Sequence, residues 1–186
     1  MKANPNVEHA LEAIEAHIFN EQVLEWFTWH VEKQFDHRLT ESQLSVVIEG
    51  FKDYFAFIIL SPAKVAIPSK LVDELWHAFI LHTAEYQKLA EKMGMFIHHY
   101  PIMVKRIMGQ NTTLEGIEYN EHYQSIIRAY CLACQASDLD PLTTDEVPFL
   151  FRIDSILPNE HASLFDIKFF QSVIPKLGSH HFILEE

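Results

Sequence analysis

The stretch "LVDELWHAFILH" carries three side chains that can do chemistry: Asp73, His77 and His82. Asp73 and His77 are four residues apart. On a helix that spacing puts both side chains on one face, close enough to touch. Such a pair has three readings. The carboxylate can orient a half-buried imidazole as a structural pair. It can orient a general base. The two groups can also be half of a metal site, because helices present ligands at this spacing in the metalloprotease helix motif. That motif is absent, since "HAFIL" brings no second histidine four residues on. A metal site therefore needs at least one further ligand from another segment.

"MGMFIHHYP" offers His98 and His99. Distance decides whether they can reach. A continuous helix from His77 to Gly94 covers roughly 25 Å. An extended chain from Gly94 to His99 returns at most about 17 Å. Closure is within reach if the chain doubles back at once, and easier if the helix ends a turn earlier. In an extended segment His98 and His99 point to opposite sides, so only one of them faces the helix. Both stand as candidates. Asp73 and His77 with His99 or His98 make an N/O ligand set that suits Zn²⁺, Fe²⁺ or Mn²⁺. Three protein ligands leave a position open for water or substrate. Two histidines and one carboxylate with open positions also suit non-haem iron. The contrasting reading is a non-catalytic helical interaction module. Asp73 and His77 are then a structural pair, and an acidic face meets a basic protein partner.

The element that positions these groups reads as one helix, from Ser69 as N-cap to about Lys92, with Gly94 just past its end. On a wheel with Val72 at zero, Leu75, Trp76, Phe79, Ile80, Tyr86, Ala90 and Met93 span about −60° to +80°, a buried arc. Asp73 and His77 fall near +100° and +140° on one rim. His82 falls near −80° on the other, away from the pair.

Around it the first half of the chain predicts helix after helix. Val7, Leu11, Ile14 and Ile18 line one face of the first. Val23, Leu24, Phe27, Val31 and Phe35 line the second. The third opens at Thr40, where "TESQ" has the form of a capping box, and stops before Pro62 with an apolar end expected deep in the core. A further helix is expected at "IMVKRIMG" and another over "EGIEYNEHYQSIIRAYCLACQA". "FLFRID" reads as a short strand or packed loop, and "LFDIKFFQSVIPKL" as a last helix. The expected fold is mostly α: an irregular multi-helix bundle with a less regular C-terminal segment. It forms one domain over residues 1–186, with a helical core at 1–137 and a less regular part at 138–186.

Composition bounds the function. The 186 residues carry a net charge of −12, with 14 Phe, 5 Gly and 8 Pro. An acidic surface repels phosphate backbones and anionic lipid, so neither nucleic acid nor membrane is the expected partner. The longest apolar run, "YFAFIIL", is far short of the roughly 18 residues of a span. "MKANPNVEHALEAIEAH" lacks the apolar core of a signal peptide, and cytoplasm is the expected location. Cys131 and Cys134 form a C-x-x-C. It lies late in a helical stretch rather than at a strand-to-helix turn, so core packing is expected over redox chemistry. His9, His17, His30 and His37 are scattered and expected at surface or rim. His180 and His181 sit in a polar tail. No phosphate-cradling glycine loop and no G-x-S-x-G occur.

"PSKLVDELWHAFILHTAEYQKLAEKMGMFIHHYP" resembles the glycine-rich domain-containing protein-like family. That family carries an Asp-x-x-Trp-His helix, a Tyr about nine residues on, then Gly and an apolar-x-His segment. These map to Asp73, Trp76, His77, Tyr86, Gly94 and His99. "VPFLFRID" is similar to a later Leu-Phe-x-x-Asp stretch, through Leu150, Phe151 and Asp154. Two features depart from the pattern. Ala90 stands where many relatives have Cys, and the glycine-rich tail is missing. The resemblance implies a site built on Asp73, His77 and His99 rather than His82.

Overall fold

The helix starts after Asn20, Thr40 and Ser69 are set by side chains that accept backbone N–H groups. The computed structural model describes residues 5–99, 121–162 and 165–177. Among the described residues α1 is Pro5–Glu15, α2 Glu21–Phe35, α3 Glu41–Leu60, α4 Lys70–Leu81 and α5 Thr83–Met93. Further on come α6 (Glu121–Ala136), α7 (Phe149–Arg152), a 3₁₀ helix (Ile153–Ile156) and α8 (Ile167–Leu177). No strand occurs among them, and the architecture is the expected mostly α, irregular bundle. Gln22 N donates to Asn20 Oδ1 at 2.8 Å to open α2. Thr40 and Gln43 make the predicted capping box at α3, with reciprocal bonds of 2.9 and 3.2 Å. Val72 N donates to Ser69 Oγ at 3.2 Å, so Ser69 caps α4 as its sequence position suggests.

The largest departure lies after α4. The expected single helix to Lys92 is two helices, broken at His82 (φ −89°, ψ 63°). The His82 imidazole donates from Nδ1 to Ala78 O at 2.8 Å and shares that carbonyl with its own backbone N–H at 3.3 Å. A side chain that competes for a helical carbonyl loosens the turn it sits on. A new helix then starts on His82 O, which accepts from Glu85 N and Tyr86 N. "FLFRID" also differs from expectation. It is a turn of α-helix running into the 3₁₀ helix, neither strand nor loop. Ile18 lies beyond the end of α1 and is 88% exposed, so Ala10 and Ile14 are the buried contacts of that helix. The apolar end of α3 is less deep than expected, with Leu60 at 40% exposure. The helix expected at "IMVKRIMG" lies outside the described residues, as do Tyr119, His180 and His181.

α4 packs on α2 and α3, while α5 packs on α1. Val23, Phe27, Val31 and Phe35 of α2 are buried, as the 3.6-residue period requires. An aromatic chain runs through the core: Phe19 to Phe51 (5.1 Å), Phe51 to Phe55 (4.1 Å), Phe55 to Trp76 (5.0 Å). Each such side chain contributes about 1.5–3 kcal/mol on burial. At Gly50 of α3 the side chains of Ile153 and Val72 lie against the glycine. A Cβ there would overlap Ile153 Cδ1 and crowd Val72 Cγ2 at 3.1 Å. A larger residue there would have to push aside the end of the Ile153 side chain, which packs the 3₁₀ helix on α3.

Candidate metal centre

The N-terminus of α4 is held by Asp154, a carboxylate 1% exposed. Asp154 accepts from Ser69 Oγ (2.7 Å), Lys70 N (2.9 Å) and Leu71 N (3.2 Å). A buried carboxylate requires such partners, and the helix N-terminus supplies both N–H groups and a favourable dipole. Ser69 and Asp154 together fix where α4 begins, and so where Asp73 and His77 emerge. Val72, Leu75, Trp76 and Phe79 are buried, as the wheel requires, while Ile80 is half-buried and Leu71, outside the arc, is buried too. Asp73 and His77 stand on the rim with side chains 29% and 40% exposed.

The third side chain arrives by way of α5. Gly94 ends that helix in the left-handed region (φ 69°), which glycine adopts without strain. Residues 95–99 then return along α4 without regular structure. Tyr86 fixes this return. Its hydroxyl accepts from Trp76 Nε1 at 3.3 Å and donates to Ile97 O. Trp76 and Tyr86 would lie about 15 Å apart along one continuous helix. The break at His82 brings them together, so the departure from a single helix is what closes the site.

His99 is the histidine delivered. Its ring sits edge-on against Trp76 at 4.4 Å, its side chain is 11% exposed, and its Nε2–H donates to Asp73 Oδ1 at 2.8 Å. His77 Nε2 lies 4.0 Å from Asp73 Oδ2, and the two imidazoles are 4.7 Å apart between centroids. One donor atom from each of Asp73, His77 and His99 lies within 4.8 Å of the other two. Ligand atoms bound tetrahedrally to one ion at about 2.0–2.2 Å lie about 3.3–3.6 Å apart, so rotamer adjustments that close the widest separation by roughly an ångström would gather them. His98 points elsewhere: it is exposed, faces Phe96 at 5.0 Å and lines a separate cleft with Tyr54 and Lys64. The chain alternation was informative, and His98 leaves the candidate set. His82 stays outside it too, bonded to Ala78 O.

Glu74, His30 and Gln34 carry no weight in the sequence reading, yet they back this site. His77 Nδ1 lies 3.5 Å from Glu74 Oε2, and His30 Nε2 lies 3.2 Å from the same oxygen. The His30 ring stacks on Trp26 at 4.8 Å, nearly parallel. Burial alone would raise the Glu74 carboxyl, but hydrogen bonds from His77 and Gln34 and the charges of His77 and His30 hold it below the ordinary carboxylate range. The Glu74 hydrogen bond, with the Asp73 and Glu74 charges, holds His77 above its ordinary value against the opposing effect of burial. The signal for Glu74 was its i, i+3 spacing to His77. Nothing local signals His30, which comes from α2.

The C-x-x-C pair is of another kind. Cys131 and Cys134 are fully buried in α6, and burial first of all pushes their thiols up to about 12 and about 11. They pack, as expected, and hold no thiolate at neutral pH.

The family that matches this chain is UCP032817-like, over residues 10–172. The chain belongs to the UCP032817-like family. The match overturns the resemblance to the glycine-rich domain-containing protein-like family, which rested on the stretch from Pro68 to Pro101 and on the later "VPFLFRID", whereas the UCP032817-like match runs over nearly the whole chain. The UCP032817-like assignment leaves the activity to be argued from the site. No curated protein and no solved structure matches the chain. No helix among the described residues is long and apolar enough to cross a membrane.

Proposed function

We propose that this protein binds a divalent transition-metal ion through Asp73, His77 and His99, in a site with a coordination position left for water or substrate. The observation that carries this is the convergence of one carboxylate and two imidazoles within 4.8 Å, at a rim where Asp73 and His77 remain partly exposed. The set of two nitrogens and one oxygen suits Zn²⁺, Fe²⁺ or Mn²⁺. A metal held by three protein ligands can lower the pKa of a bound water or polarise a substrate oxygen. The chain's own part is to fix the donors. Asp154 and Ser69 set α4, Tyr86 and Trp76 set the return, and the apolar core behind Trp76 keeps water from the rear of the site. The Nε2–H of His99 would have to leave that nitrogen for a metal to bind there, by transfer to Nδ1 in the neutral ring or by release to solvent from the imidazolium.

Elemental analysis of untagged protein tests this. The expected result is near-stoichiometric zinc, iron or manganese in the wild type and its loss in His77→Ala. A second reading is favoured by one observation: the 2.8 Å bond from His99 to Asp73 already braces the return segment onto α4. Under that reading His99→Ala destabilises the fold, while metal content is substoichiometric and the same in wild type and His77→Ala.

A further inference from the structure

We infer that Glu74, anchored by His30, is a positioning residue that selects which nitrogen of His77 faces the metal site. The inference rests on the metal reading for its consequence, and on the geometry of α2 and α4 for its cause. Asp73 and Glu74 follow one another on α4 and flank the same imidazole. His77 presents Nε2 to Asp73 at 4.0 Å and Nδ1 to Glu74 at 3.5 Å. A neutral imidazole carries one N–H and one lone pair, and the partner of the N–H decides which is which. Both carboxylates can only accept, but Glu74 at 3.5 Å is within hydrogen-bond reach and Asp73 at 4.0 Å is not, so Glu74 draws the proton to Nδ1 and leaves the lone pair on Nε2, towards Asp73 and His99.

Glu74 is itself constrained. Its side chain is 16% exposed, and His30 Nε2 meets the same Oε2 at 3.2 Å. The His30 ring is stacked on Trp26 of α2. Carboxylates and imidazoles therefore alternate from α2 to the return segment: His30, Glu74, His77, Asp73, His99. Packing of α2 on α4 is thereby tied to the orientation of one ligand. His30→Ala removes one partner of Glu74 and leaves Gln34, so its effect runs in the same direction as removal of Glu74 and is smaller.

Nitrogen-detected NMR of histidine-labelled, metal-free protein tests the cause. The expected result is His77 with its proton on Nδ1 in the wild type. In Glu74→Ala it shifts towards Nε2–H, and Glu74→Gln retains the wild-type form because the amide oxygen still accepts. An unchanged His77 tautomer in a folded Glu74→Ala protein would overturn the inference. Competition of Zn²⁺ against a chelator tests the consequence. Zinc affinity is expected to fall about 10–100-fold in Glu74→Ala, with Glu74→Gln in between. Equal affinity of wild type and Glu74→Ala for Zn²⁺ overturns it as well. If the wild type itself binds no Zn²⁺, the metal reading fails, and the tautomer comparison alone decides the role of Glu74.

Discussion

Two parts of this molecule carry residues at spacings that suggest chemistry, and they have opposite fates. Asp73 and His77 lie on the rim of α4, half in water, and a returning segment adds His99. Cys131 and Cys134 lie on the inner face of α6, where burial removes their reactivity. Spacing alone separates neither case. What differs is the angle at which each pair leaves its helix relative to the apolar arc. A polar pair at the edge of that arc can be met by another segment and still reach solvent. A pair inside it can only pack.

The sharpest way to break this contrast is to exchange the roles. His99→Ala should abolish specific metal retention, while Cys131→Ala and Cys134→Ala leave it unchanged, as read by metal content after dialysis. Metal loss from either cysteine variant, with the fold intact by circular dichroism, would put the site in the wrong half of the molecule. Next in size is Asp154→Ala, which strips three donors of their buried acceptor. It should cost about 2–4 kcal/mol in denaturant unfolding. It should also weaken metal binding, since α4 loses its anchor. A stability loss under about 1 kcal/mol would mean that Ser69 alone holds the helix start.

A smaller effect is expected from thiol labelling. Both cysteines should react with a thiol reagent only on unfolding, at a rate set by the opening of α6. Fast labelling of the native protein would contradict the packing role. The smallest is a pH effect at His17, which packs against Phe19 at 4.9 Å and Phe79 at 5.1 Å. Burial, then Lys92 and Lys52, lowers its pKa from 6.5 to about 4. Between those values the unfolded chain binds a proton that the folded chain does not. Stability from this group is therefore complete above pH 6.5 and is lost as pH falls towards 4. Asp53 works in the opposite sense, because burial first, then Glu49 and Glu15, raise its carboxyl to about 6. The His17 contribution is read as a difference: in His17→Phe the acid loss should shrink by about 1–2 kcal/mol. An unchanged slope would show that His17 is protonated in the fold.

Much of this was legible in the chain. Helical period and capping residues placed α2, α3 and the start of α4, and put Asp73 and His77 on one rim. The break at His82 was not legible, because neither glycine nor proline marks it. Its cause is an imidazole that bonds back to Ala78 O. That break also decided whether the return segment could reach the helix, which chain-length arithmetic had left at the limit. Alternation separated His98 from His99 without saying which turned inward. The choice came from Tyr86, whose hydroxyl holds Ile97 O. Asp154 and His30 act through contacts distant in sequence, and no local pattern encodes those. Glu74 was within reach of the i, i+3 rule but was masked by the more obvious i, i+4 pair.

X-ray absorption at the zinc edge, on protein loaded with one equivalent of Zn²⁺, tests the central claim most directly. The prediction is a first shell of nitrogen and oxygen at about 2.0–2.2 Å with the outer scattering of two imidazoles and no sulfur. In His77→Ala one imidazole contribution should vanish. A sulfur shell at about 2.3 Å, or a first shell of water oxygens without imidazole, would contradict a site built on Asp73, His77 and His99.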